Sequence, residues 1–176
     1  MPVRPIITHP APVLRRKARK VTDFGPEIQK IIDDMIETMR EAPGVGLAAP
    51  QVDVPLRLIV VEYAEEVEDE EGKQKETLPK LYVLANPEIM RLSDESEIGT
   101  EGCLSIPGFV GDVDRPLGAV IKGLNRHGKP VRVKADGWLA RIFQHEIDHL
   151  EGILFIDRAE KVWRLEESDT PPVAAD

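Results

Sequence analysis

The run His145-Glu146-Ile147-Asp148-His149 is the densest chemistry in this 176-residue chain. On a helix, residues four positions apart lie one above the other on one face, so His145 and His149 present two imidazoles to the same point. Imidazoles in that arrangement grip one metal ion, and the glutamate between them, Glu146, is placed to move a proton. The apolar periodicity from Trp138 through Ile142 makes this helix partly buried, where two histidines and a glutamate without partners are expensive. The spacing therefore predicts a hydrolytic metal site rather than a chance pattern on a surface helix.

A catalytic metal needs a third protein ligand and an open position for water. The chain has a single cysteine, Cys103, in Glu101-Gly102-Cys103-Leu104-Ser105, so no intrachain disulfide can form. Taken alone, a lone cysteine reads as a small buried hydrophobe. Its place beside Gly102, near the end of an extended segment, suits approach to another element, and it is the remaining thiolate available to a metal. His9, between Thr8 and Pro10, and His127, at a turn, are poorly placed to replace it. A third segment, Gly44-Val45-Gly46-Leu47-Ala48-Ala49-Pro50-Gln51, has glycines that admit close backbone approach to a ligand and an amide donor in Gln51. It also reads as a simple glycine-bearing loop ending a helix. The Lys-Ser/Thr pair of a phosphate loop is missing, which argues against a nucleotide site.

These residues need positioning elements. Pro12 suits the first turn of a short helix through about Lys17. Ile28, Ile31, Ile32, Met35, Ile36 and Met39 follow the core-facing spacing of a helix over 26–41, stopped by Pro43 and Gly44. Residues 44–51 look neither helical nor strand-periodic. Strands are expected at 56–61, at 81–90 with a break near Pro87, and as a pair at 118–124 and 130–135 around the turn Asn125-Arg126-His127-Gly128. The motif helix spans about 137–150, with Asp136 as N-cap and Gly152 as its stop. A last helical stretch is expected at 158–167. The implied fold class is α+β, antiparallel strands packed around a central metal-binding helix. Residues 1–165 would form one catalytic domain and residues 166–176 a disordered acidic tail.

Composition bounds the rest. A hydrophobic fraction of 41% and a charged fraction of 31% describe an ordinary soluble protein. Asp and Glu outnumber Lys and Arg 32 to 23, for a net charge of −9, so direct nucleic-acid binding is disfavoured. The cluster Arg15, Arg16, Lys17, Arg19 and Lys20 reads as a solvated basic helix end, and the acidic segment 62–77 as an exposed loop or hairpin. No apolar run approaches spanning length and the start lacks the apolar core of a signal peptide, so the expected compartment is the cytoplasm, without membrane contact.

Together, Gly44 to Gln51, Glu101 to Ser105 and Gln144 to His149 resemble the three signature motifs of the peptide deformylase family, in its order. The likeness runs from about His9-Pro10, through Leu14-Arg15, to about Phe155. It implies a metal held by Cys103, His145 and His149, natively Fe(II), with Zn(II), Ni(II) or Co(II) as substitutes. It implies hydrolysis of the formyl group from formyl-Met nascent peptides, releasing formate, with Glu146 as general base and Gln51 and the Leu104 N–H meeting the oxyanion. Val45 and Gly46 would pair with substrate backbone. Val45, Trp138, the stem of Arg141 and Ile142 would wall the methionine pocket, where Trp138 and Arg141 depart from the small apolar residues of many bacterial members. Glu101, held by Arg115, would support the ligands from behind, and Glu101→Ala is expected to lower metal retention while keeping the fold. Glu166, Glu167 and Asp169 stand where some members carry a basic ribosome-docking helix, so docking by that route does not carry over.

Two other readings compete. A zinc endopeptidase shares the motif helix, and Gly152 fits one protease subclass, but Phe155 stands where that subclass needs a third histidine. A metal-stabilised binding module would normally close its ion with four protein ligands. This chain supplies three good ones and a poised Glu146.

Overall fold

The computed structural model describes residues 2–166. Its elements follow in chain order. Helix α1 (Pro26–Glu41) precedes β1 (Gly46–Ala48), β2 (Leu58–Tyr63), the hairpin β3 (Glu66–Glu68) and β4 (Gln74–Glu76), and β5 (Lys80–Leu92). Then come β6 (Ser96–Gly102), β7 (Phe109–Pro116), β8 (Gly118–Leu124), β9 (Pro130–Asp136), α2 (Gly137–Leu150), the single turn α3 (Phe155–Arg158) and β10 (Lys161–Arg164). The larger sheet has the order β1-β2-β5-β8-β9 and the smaller β10-β7-β6, with all pairings antiparallel. The molecule is thus α+β, as the patterning implies.

The run Leu58-Ile59-Val60-Val61 shows how the layers form. All four side chains are fully buried, and alternation sends them to opposite faces. Leu58 and Val60 join Ile28, Ile32, Met35 and Met39 of α1 in one core. Ile59 and Val61 join Leu139, Ile142, Phe143 and Leu150 of α2 in another. A third core, of Leu14, Cys103, Ile106, Val113, Leu154 and Phe155, lies on the smaller sheet's side. Helix α2 is therefore enclosed between the two sheets, and burial of Leu139, Ile142 and Phe143 contributes about 1.5–3 kcal/mol each. A helix so placed can hold six buried polar side chains, Arg141, Gln144, His145, Glu146, Asp148 and His149, only if they find partners.

Several expectations are corrected. The first short helix is a 3-10 turn confined to Pro12–Arg15. Residues 44–51 hold strand β1 and a 3-10 turn, Ala49–Val52, because β1 borrows its regularity from pairing with β2. Strand β5 passes through Pro87 without breaking, since register shifts between Ala85 and Glu88 absorb the missing N–H. Asp136 makes no side-chain cap; the N–H of Gly137 is taken instead by the Leu117 carbonyl at 2.7 Å. The last helical stretch is the turn α3 followed by β10, which the exposed edge of β7 recruits as a strand. The acidic segment is the hairpin β3–β4, and the expected tail beyond 166 lies outside the described residues.

Candidate metal centre

Two elements meet at one point. Strand β6 ends at Gly102 and delivers Cys103, while α2 delivers His145 and His149. One ligand atom from each lies within 4.8 Å of the others, and all three residues are buried. The Cys103 sulfur is 3.5 Å from His149 Nε2. One sulfur and two ring nitrogens at such separations fit a tetrahedral ion bound at about 2.0–2.3 Å, with one position left over. The same donor set suits borderline-soft divalent ions rather than calcium or magnesium.

Glu101 fixes the histidine. It is fully buried, and its Oε1 lies 2.9 Å from His145 Nδ1. Burial pushes its pKa up, but hydrogen bonds and charge from Arg115 and His145 outweigh this and hold the carboxyl far below the usual range. An ionised Glu101 makes Nδ1 the proton-bearing nitrogen and turns Nε2 to the metal position. Arg115 grips Glu101 with a two-pronged pair at 2.8 Å and gives its remaining arm to Asp148 at 2.8 Å. Arg158 in turn holds Asp148 at 2.7 Å. The Arg115 guanidinium loses hydration here, yet the two carboxylates raise its pKa above the ordinary value.

Glu146 is buried beside this group, and the space for it is made by Gly46. A Cβ built at Gly46 would fall 2.4 Å from Glu146 Oε2. Gln51, fully buried, is locked from both ends. Its carbonyl accepts the Ala48 N–H at 2.9 Å, while its Nε2 donates to Ser105 Oγ at 3.1 Å and points at the Cys103 sulfur 3.6 Å away. Leu104 occupies the turn that the Ile106 N–H closes on the Cys103 carbonyl at 2.9 Å. One amide donor, one carboxylate and three ligand atoms thus share a single buried corner.

Strand β1 is an edge strand of the larger sheet. The Val45 carbonyl already accepts the Glu62 N–H at 2.9 Å, so strand alternation turns the polar groups of Gly46 toward the open side. Val45 itself packs its side chain on the α2 core. The expected pocket residues divide. Trp138 and Arg141 line a hollow of about 180 Å3 with Gly99, Ile98 and Arg115. Ile142 is sealed in the core and lies outside that lining. Arg141 serves as more than a wall: its head donates to Glu101 Oε2 at 2.7 Å. Losing the Glu101 carboxylate would leave Arg115 and Arg141 as facing buried cations, a penalty of about 3–5 kcal/mol. That geometry adds a loss of stability to the expected loss of metal retention in Glu101→Ala.

A larger hollow of about 420 Å3, between α1 and residues 20–25, contains none of these groups. Sequence reasoning missed Asp148, Ser105, Arg158 and Gly99. Asp148 sits inside the motif itself, three positions after His145, where a helix brings it to the same side. Nothing local marks the other three. Phe155, expected to exclude the three-histidine protease pattern, is stacked near the His145 ring at 6.4 Å between centroids.

The polypeptide deformylase family model matches residues 3–164. The chain is 46% identical over 168 residues to a peptide deformylase of Natranaerobius thermophilus, covering 96% of this chain and 99% of that one. Among solved structures, it resembles a peptide deformylase of Ehrlichia chaffeensis with 41% identity and a TM-score of 0.80, covering 91% and 89% of the two chains. It also resembles a Met-Ala-Ser-bound class I type b peptide deformylase of Acinetobacter baumannii, with 36% identity, a TM-score of 0.78 and coverage of 89% and 98%.

Proposed function

This chain belongs to the polypeptide deformylase family and is a hydrolase, and we propose that it removes the N-formyl group from the formylmethionine of newly made polypeptides, releasing formate. The observation that carries this reading is the meeting of the Cys103, His145 and His149 ligand atoms with Glu146 and Gln51 in one buried corner. Cys103, His145 and His149 would hold one divalent ion, Fe(II) natively, with Zn(II), Ni(II) or Co(II) in its place. Such an ion supplies Lewis acidity, polarising a carbonyl and lowering the pKa of water toward neutrality.

The chain's residues do the rest. Glu146 takes the proton of the attacking water and delivers it to the departing amine. The Gln51 amide and the Leu104 N–H meet the charge that builds on the formyl oxygen. Gly46, facing the open edge of β1, pairs with an extended peptide as an added strand, and Val45 and Trp138 flank its first side chain. The peptide bound to the Acinetobacter baumannii protein is Met-Ala-Ser, which supports a peptide with a leading methionine as the ligand.

Residues 1–165 act as one catalytic unit in this reading. The residues from 161 to 164 form a strand on β7. Among the described residues no helix is long and apolar enough to cross a membrane; action on nascent chains in the cytoplasm is part of the same proposal. The test is formate release from formyl-Met-Ala-Ser by protein purified anaerobically with its metal quantified. No turnover by metal-replete protein, or equal turnover by Glu146→Ala, would falsify the assignment; digestion of casein would point to the endopeptidase instead.

A further inference from the structure

Glu101 has four acceptor positions, and all are filled. Oε1 accepts from Arg115 Nη2 and His145 Nδ1, and Oε2 from Arg115 Nε and Arg141 Nη1, at 2.7–2.9 Å. Arg141 and His145 stand one helical turn apart on α2, so two side chains of the same helix converge on one carboxylate while Arg115 holds it from β7. Arg141 is itself immobilised. Its Nη1 also donates to the Val113 carbonyl at 2.8 Å, its Nη2 to the Glu97 carbonyl at 2.6 Å, and its head lies 5.2 Å from the Trp138 ring centre.

This placement depends on a missing side chain. Gly99 precedes Glu101 by two on β6 and so faces the same way. A Cβ there would lie 2.8 Å from Arg141 Cζ and 2.9 Å from Nη2. The head could not retreat without breaking bonds to Glu101 or the two carbonyls.

We propose that Arg141 positions the metal ligand His145 through their shared partner Glu101, and that Gly99 is the vacancy that admits it. Without Arg141, Oε2 keeps one donor and the carboxylate can roll about the Arg115 fork, carrying Oε1 away from His145 Nδ1. Lysine is a poor substitute, because a single ammonium cannot serve Glu101 and two carbonyls in their fixed geometry. The proposal rests on the metal reading above.

The experiment compares wild type, Arg141→Met, Arg141→Lys and Gly99→Ala loaded with Co(II). Cobalt affinity is measured by chelator competition, ligand geometry by the visible absorption of the cobalt, and folding by thermal unfolding of each metal-free form. Arg141→Met and Gly99→Ala are expected to lose about 10–100-fold in affinity and to share an altered spectrum. Arg141→Lys should fall between them and wild type, and the double variant should be no weaker than Arg141→Met. Wild-type affinity within threefold and an unchanged spectrum in folded Arg141→Met would overturn the proposal. If Arg141→Met does not fold, the same result in Gly99→Ala overturns it. Failure of wild type to hold cobalt would overturn the metal reading and the proposal with it, whereas variants equal to a cobalt-holding wild type overturn the proposal alone.

Discussion

The smallest informative perturbation is one methyl group at Gly46. Its Cβ would stand 2.4 Å from Glu146 Oε2, 2.9 Å from Cδ and 3.0 Å from Cγ, where ordinary contact begins near 3.4 Å. The carboxylate of Gly46→Ala must therefore retreat by about 1 Å, and a misplacement of that size costs roughly 100-fold in rate. Gly46 has no positive φ, so alanine adopts its backbone without strain and strand pairing survives. The expected loss falls on kcat for formyl-Met-Ala-Ser, with metal content and KM little changed. The control is the double variant. Because the methyl acts through the carboxylate, Gly46→Ala should cost almost nothing further in a Glu146→Ala background. Activity of Gly46→Ala within threefold of wild type, or losses that multiply in the double variant, would refute the reasoning.

Glu101→Gln keeps the shape of the buried network but removes its charge, so metal retained after dialysis should fall by about 10–100-fold; full retention would exclude a supporting role. Glu101→Ala should additionally lower the melting temperature of the metal-free protein, since it leaves two buried arginines without their shared anion. The pH dependence follows from the same carboxylate. Its folded-state pKa lies below the unfolded value of about 4.3, so its stabilisation is present in full above that pH and is lost as pH falls toward the folded value. Denaturant titrations of metal-free protein below pH 4.3 should show stability falling with acid, with a shallower fall in Glu101→Gln; equal slopes would count against it. Finally, removing bound metal with a chelator should abolish formate release and lower the melting temperature, with both restored by Co(II) or Ni(II); a melting temperature indifferent to metal would contradict the buried ligand set.

What could be read in advance depended on how local the cause was. Helices α1 and α2 and the β8–β9 hairpin announce themselves through their own periodicity and turns, and His145, Glu146 and His149 are fixed by helical spacing alone. Strand β6 is different: Ser96-Glu97-Ile98-Gly99-Thr100-Glu101-Gly102 is mostly polar or small, its Ile98 is exposed, and its one buried charge, Glu101, turns inward to Arg115 and Arg141. Alternation of apolar residues could not reveal it. Strand β10 carries Lys161 and Arg164 in a stretch of mixed charge that suits a helix equally well, and the free edge of β7 decides between them. The same holds for the site. The type of Gln51 suggested a donor, but its orientation comes from Ser105 and Ala48, which only folding brings near. Arg141 looked like a pocket residue from its place on the helix, and its partners lie on two strands, 28 to 44 positions upstream.

The acidic hairpin has a practical use. Strands β2 and β5 are already in register up to the pair Tyr63 and Lys80, and β3 and β4 pair only with each other. The segment between those two residues is thus a lobe hung on a finished sheet rather than a part of its frame. A short turn joining Tyr63 to Lys80 would preserve every rung between the two strands, and the lobe's tip, exposed throughout, is a natural port for an affinity tag or a fluorescent reporter.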